Sequence, residues 1–354
     1  MSKTMESKLN TILENIAPLD EIAMEKAQER LNHLTKPPES LGALEAIAKK
    51  IAGITGHPLP ALPKKAGVLM AADHGVVEED VSAFPQEVTA QMVLNFVQGG
   101  AAINVLSEHV ESELSLIDIG VAEALEPHPG LLNKKVAYGT SNMTKGPAMT
   151  RIQALKAMNI GFEVGENLNE RGVGLLATGE MGIGNTTPSA ALAAFYSGYP
   201  IEKVVGRGTG IDDNRLKNKI SAIEKAIKFN QPDKNDPLDV LSKIGGLEIA
   251  GLTGVTLAAA SHNIPVMIDG VISGAAGLVA SEFSSLSTQY MLGSHYSKEP
   301  GHGAIIQMLG IKPILDMDMR LGEGTGAVLA MNAVDASIKI IHQMATFSQA
   351  GIRD

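Results

Sequence analysis

The sequence predicts an α/β protein: a parallel sheet flanked by helices, preceded by a small helical unit. Three observations carry the prediction. Short apolar runs recur, each ending at a glycine-rich or polar turn. Helix-period segments separate these runs, which calls for crossover connections between parallel strands rather than hairpins. No strand pattern precedes residue 65, where three helical stripes stand instead.

In chain order, Leu9, Ile12, Leu13 and Ile16, then Leu19, Ile22, Ala27, Leu31 and Leu34, recur at helical spacing and predict two helices broken near Pro18. Thr35-Lys36-Pro37-Pro38-Glu39-Ser40 is a loop, since each proline biases its predecessor away from helix. Leu41, Leu44, Ile47, Ile51 and Ile54 form a third stripe, and the proline-rich segment 56–63 is a linker. Strands are expected at Ala66–Ala72, Leu114–Ile119, Gly174–Thr178, Val204–Val205, Val266–Gly270 and Ile314–Asp318. Around the last of these, Asp316, Asp318 and Arg320 alternate with Leu315, Met317, Met319 and Leu321, as on a two-faced strand. A turn with three glycines, holding Glu323, then leads into a long helix over about 327–347 that could return to the N-terminal helices. In open parallel sheets ligands bind beyond the carboxyl ends of the strands, and the polar and glycine-rich segments all fall there.

Composition narrows the function. The chain has 354 residues, 44% apolar and 19% charged, enough for one large α/β domain with an appendage. A net charge of −10 argues against non-specific nucleic-acid binding, and 3% aromatics with no Trp argues against base-stacking platforms. No cysteine is present, which removes disulfides, thiolate catalysis and thiolate metal sites. The N-terminus lacks an apolar signal core and no run reaches membrane-spanning length, so a cytoplasmic protein without membrane contact is expected.

Three turns invite anion chemistry. Gly179–Pro188 (GEMGIGNTTP) lies between a strand and a helix start; it reads either as an anion cradle or as a tight connection capped by Thr. Gly206–Asp213 (GRGTGIDD) precedes a basic helix with Arg215, Lys217 and Lys219, which reads either as a phosphate contact or as a solvated face. The turn at 322–326 places amides at a helix N-terminus. Neither a P-loop nor a dinucleotide fingerprint is present. Asp73-His74-Gly75 reads as a strand-end turn near the site rather than a metal site, and Gly293–His302 as a polar loop lining it. Their convergence on one sheet edge fits a phosphorylated, nucleotide-like substrate.

Taken together, TKPPESLG at 35–42, ADHGV at 72–76, FPQEVTAQM at 84–92, GEMGIGNTT at 179–187, GRGTGIDD at 206–213, SHYSKEPGH at 294–302 and LGEGTGA at 321–327 resemble one family over essentially the whole chain. That family is nicotinate-nucleotide–dimethylbenzimidazole phosphoribosyltransferase. The resemblance implies a Rossmann-like sheet in a large catalytic domain, residues 63–329, and a small helical domain from residues 1–62 and about 330–354. It implies a homodimer and transfer of the 5-phosphoribosyl group of nicotinate mononucleotide to a benzimidazole, with no cofactor. It places Glu323 as catalytic base and Glu180 as a second carboxylate at the ribose side. It places Gly182, Gly184, Asn185, Thr186, Gly208, Lys219 and Ser297 at the phosphate and ribose, and Arg320, Leu321 and Gly322 beside the base. Phe84, Pro85, Gln91 and Met92 match the benzimidazole-pocket region.

The chemistry agrees with the residues. Displacement at an anomeric carbon passes through an oxocarbenium-like state that a carboxylate such as Glu180 can stabilise. The attacking benzimidazole must lose its N–H proton, and a carboxylate against an apolar wall, as Glu323 would be, gains a raised pKa suited to taking it. The pyridinium leaving group is already activated, so no metal is called for. Two other classes compete: a non-catalytic nucleotide sensor, disfavoured by the two carboxylates, and an NAD-dependent oxidoreductase, weakened by the missing fingerprint.

Overall fold

The computed structural model describes residues 2–208 and 210–353. Its strands are β1 (Lys64–Ala72), β2 (Ser112–Gly120), β3 (Leu131–Asn133), β4 (Val173–Met181), β5 (Val266–Ile268), β6 (Met291–His295) and β7 (Pro313–Leu315). They form one sheet in the order β3-β2-β1-β4-β5-β6-β7, and every neighbouring pair is parallel. The order reverses direction between β1 and β4, so the crevice expected of a doubly wound sheet opens where their carboxyl ends diverge.

Helices cover both faces, which is why the central strands read as unbroken apolar runs rather than as alternating ones. Arg151–Glu170, Leu247–Ser261 and Val271–Phe283 lie on one face; Ala102–His109 and Thr325–Gln343 lie on the other. All but the first residue of β1 is buried.

The strand patterns at 66–72, 114–119 and 174–178 form strands, and that at 266–270 does so over Val266–Ile268. Val204–Val205 does not: Ile201–Val204 is a single helical turn started by Pro200. β3 and β6 carry no strand signal in the sequence. β6 occupies Gly293, Ser294 and His295, which polarity assigns to a loop. These polar residues tolerate a fully buried strand because their side chains are paired; Ser294 Oγ donates to the Ile268 carbonyl at 2.7 Å.

The alternating stretch at 316–321 is also not a strand. β7 ends at Leu315, Met317 and Leu321 are exposed, and Asp318 has φ +56°, outside the range an extended strand permits. The alternation therefore marks a loop with apolar residues at its surface, and Asp318 is paired with Lys298 at 2.6 Å.

The predicted N-terminal helices form at Ser2–Glu14, Glu21–Asn32 and Ala43–Thr55, the second capped by the Asp20 carboxylate on the Ala23 amide. Ala27, Leu31, Leu34, Ala48, Ala52 and Ile341 make an apolar cluster separate from the main core, and Leu34 bridges Thr346. Among the described residues no helix is long and apolar enough to cross a membrane.

Candidate active site

A cavity of about 640 Å³ opens beyond the carboxyl ends of β4, β5 and β6. Twelve predicted site residues line it: Phe84, Met92, Glu180, Gly182, Asn185, Thr186, Gly208, Ser297, Arg320, Leu321, Gly322 and Glu323. Segments that lie up to 239 positions apart in sequence, from Phe84 to Glu323, thus meet at one place. Lys219 stands directly behind this wall, its ammonium donating to Thr186 Oγ1 at 2.7 Å and to the Gly206 carbonyl at 3.2 Å. Of the basic helix, Lys217 is exposed but Lys219 is buried, so the solvated-face reading holds for the first and not the second. Gly184 sits under the turn with φ +93°, against Val77 and His74. Pro85 and Gln91 are exposed and outside the lining, which on that side is built from Val88 and Met92 with Phe84. Thr209 lies outside the described residues.

Glu180 is the last residue but one of β4, and strand geometry turns it into the cavity mouth. The Asn185 side-chain amide donates to its Oε2. Burial raises the Glu180 pKa to about 8, with the carboxylates of Asp269, Glu248 and Glu323 adding to the rise and the Asn185 bond opposing it. In the free protein Glu180 therefore keeps its proton at pH 7.

Glu323 stands on a strained backbone. It has φ +61°, between Gly322 at +87° and Gly324 at +84°, a conformation that a side chain bearing Cβ rarely adopts. Two close approaches surround it. A Cβ on Gly179 would lie 2.4 Å from the Glu323 carbonyl oxygen, and one on Gly322 would lie 2.5 Å from Glu180 Oε1. The carboxyl group is buried, its pKa raised by burial and then by Asp269, with the Ile103 amide opposing. Its Oε2 has no hydrogen-bond partner.

The amides at the N-terminus of helix Thr325–Gln343, which the sequence offers to an external anion, are taken by the protein itself. Asp269, at the end of β5, accepts from the Gly324 amide at 3.2 Å and the Ala327 amide at 2.9 Å. Buried Asp269 thus clamps the turn that carries Glu323 to the sheet, assisted by His295, whose Nδ1 is 3.7 Å from Asp269 Oδ1. Sequence reasoning missed this residue. Its strand-end position beside Gly270 was the available signal, and only the fold reveals what it faces. Met181, Ile183, Gly270 to Ile272 and Glu299 are further lining residues without a motif of their own.

His74 makes a buried hydrogen bond from the ring Nε2 to Glu248 Oε1 at 2.8 Å, beneath the Gly182 to Gly184 turn. No group of three or more His, Asp or Glu side chains among the described residues is arranged to hold a metal ion.

A family model described as phosphoribosyltransferase matches residues 16–352. A protein of Chloroflexus aggregans named nicotinate-nucleotide–dimethylbenzimidazole phosphoribosyltransferase is 52% identical over 348 residues, covering 98% of this chain and 99% of that protein. One of the same name from Desulforamulus reducens is 51% identical, covering 96% of this chain and 97% of its own. The crystal structure of CobT from Thermus thermophilus superposes with a TM-score of 0.90 at 44% identity, covering 94% of this chain and 99% of that one.

Proposed function

The chain belongs to the nicotinate-nucleotide–dimethylbenzimidazole phosphoribosyltransferase family, and we propose how its own residues carry out that transfer. The enzyme moves the 5-phosphoribosyl group of nicotinate mononucleotide onto a nitrogen of 5,6-dimethylbenzimidazole, releasing nicotinate and giving α-ribazole 5′-phosphate for cobalamin assembly.

In the proposal, the nucleotide phosphate sits over Gly182 and Gly208 with Lys219 and Ser297 supplying charge and hydrogen bonds. The pyridinium bond to the anomeric carbon breaks with its electron pair going to the departing nicotinate nitrogen. The benzimidazole nitrogen forms the new bond, and the N–H proton on its other nitrogen passes to Glu323. Glu180 faces the ribose. The positive pyridinium ring favours its ionised form, so substrate binding drives off the proton that the free enzyme retains, and the resulting carboxylate stabilises the oxocarbenium-like state. Phe84, Val88, Met92 and Met181 supply an apolar wall for a flat aromatic base.

The observation that supports this reading best is Glu323 itself: a buried carboxyl at an apolar wall, raised in pKa, with one oxygen left without a hydrogen-bond partner. The test is a product assay with nicotinate mononucleotide and a panel of benzimidazoles and phenols, run on the wild type and Glu323→Gln. The variant should bind the nucleotide normally and lose about 10²–10⁴-fold in turnover, the usual contribution of a general base. Wild-type turnover in the variant would remove Glu323 from the role; binding without nicotinate release in the wild type would favour a sensor.

We also propose that residues 1–62 and about 330–354 form a small helical domain beside a large catalytic domain, 63–329. The separate cluster around Leu31, Ala48 and Ile341 supports this, although helix Ser2–Glu14 packs on Arg151–Glu170 of the large unit. The active form is proposed as a cytoplasmic homodimer; light scattering at one chain mass would refute the dimer.

A further inference from the structure

We propose that His302 is a positioning residue that holds Ser297 in the cavity wall, accepting the Ser297 backbone amide at Nδ1 while its other ring nitrogen donates to the Asp269 carbonyl. The proposal rests on the reading of Ser297 as a nucleotide contact.

His302 lies in the first turn of helix Pro300–Leu309, fully buried and outside the cavity lining. The Ser297 amide reaches its Nδ1 at 3.2 Å. An imidazole that accepts at one nitrogen and donates at the other must be neutral, with its proton on Nε2. The surroundings favour that form: burial, with the neighbouring His295 adding to the effect, lowers the His302 pKa to about 4. The His295 ring is stacked on it at 6.0 Å, and the Tyr296 ring meets it edge-on at 6.3 Å.

The geometry gives the ring a definite task. The loop 296–299 is tied on its outer side by the Tyr296 amide to the Leu315 carbonyl (2.8 Å) and the Lys298 amide to the Met319 carbonyl (3.1 Å). Those bonds fix it to the β7 side. His302 ties the same loop to the end of β5, where a Cβ on Gly270 would sit 3.8 Å from Ser297 Oγ. Gly270 and Ser297 are adjacent pieces of the cavity wall, and the imidazole spans them from behind. Without the Nδ1 acceptor, the Ser297 amide is left buried and unpaired, and the loop shifts to find a partner.

The test compares kcat and KM for nicotinate mononucleotide in His302→Ala, His302→Asn, His302→Gln and Ser297→Ala. His302→Ala should raise KM about tenfold, the effect of one displaced hydrogen-bonding group, with kcat within about twofold of wild type. His302→Asn should recover most of the KM, because its side-chain oxygen falls where Nδ1 stood; His302→Gln, which reaches the Nε2 position, should not. A long-range 1H–15N spectrum of the wild type should show His302 neutral with its proton on Nε2 at pH 7, a readout that needs no variant to fold. Unchanged KM in His302→Ala beside a raised KM in Ser297→Ala overturns this inference alone. Unchanged KM in Ser297→Ala overturns the reading of Ser297 and this inference with it. A charged His302, or one protonated at Nδ1, also overturns it.

Discussion

Replacing Glu180 by Gln should make the protein more resistant to heat at alkaline pH while crippling it as an enzyme. The folded pKa of Glu180 is about 8 against an ordinary value of 4.5. A carboxyl whose folded pKa is raised contributes its full stability below the unfolded value and loses it as pH climbs through the folded one. At about 1.4 kcal/mol per pH unit, the wild type should lose about 4 kcal/mol between pH 5 and pH 8.5 on account of this one group. Gln cannot ionise, and its side-chain oxygen still accepts from Asn185, so the variant escapes that loss. For a chain of 354 residues the unfolding entropy is about 0.7 kcal/mol per kelvin, so the melting-temperature gap between variant and wild type should widen by about 5 °C over that range. Differential scanning calorimetry of both proteins at pH 5, 7 and 8.5 makes the comparison. A gap that stays constant with pH would refute the claim that this carboxyl is buried uncharged in the free protein.

Three other outcomes can be checked. If the pyridinium ring drives the Glu180 proton off, nicotinate mononucleotide binding at pH 7 should release close to one proton in the wild type and none in Glu180→Gln, measured by calorimetry in buffers of different ionisation enthalpy. Gly322→Ala places a methyl 2.5 Å from Glu180 Oε1 on a backbone at φ +87°; it should lower kcat/KM more than about tenfold and stability by about 1–2 kcal/mol, and unchanged kinetics would mean the turn has more room than its geometry implies. Lys219→Met keeps most of the length but removes the charge, and should raise KM for the nucleotide about 10–100-fold; because burial lowers the Lys219 pKa to about 8, wild-type KM should also rise as pH passes 8, and a flat KM would place the phosphate elsewhere.

Much of this was legible in the residues. Apolar runs ending at Ala72, Ile119, Thr178 and Ile268 are strands because both sheet faces are covered, which leaves no alternation to misread. Where strand residues are polar, as in Ser294-His295, or where apolar residues alternate in an exposed loop, as at Met317 and Leu321, local pattern points the wrong way. Polarity tracks burial only when no buried partner is available, and Ser294 has one in the Ile268 carbonyl. Gln91 and Met92 differ in the same manner: the motif names both, but helix geometry turns only Met92 toward the cavity.

The sequence by itself determined the parallel α/β class, the glycine turns at strand ends, and the two carboxyl groups, since spacing and residue type are local properties. The tertiary structure decided what those groups face. It set Asp269 on the amides of the turn that carries Glu323, so that an apparent external anion site became an internal clamp. It brought Asp269, Glu248 and Glu323 close enough to Glu180 to raise its proton affinity, and Asp269 close enough to raise that of Glu323. It buried Lys219 behind Thr186 and His302 behind Ser297. Burial and charge proximity arise between segments far apart in the chain, and no local pattern encodes the distance between them.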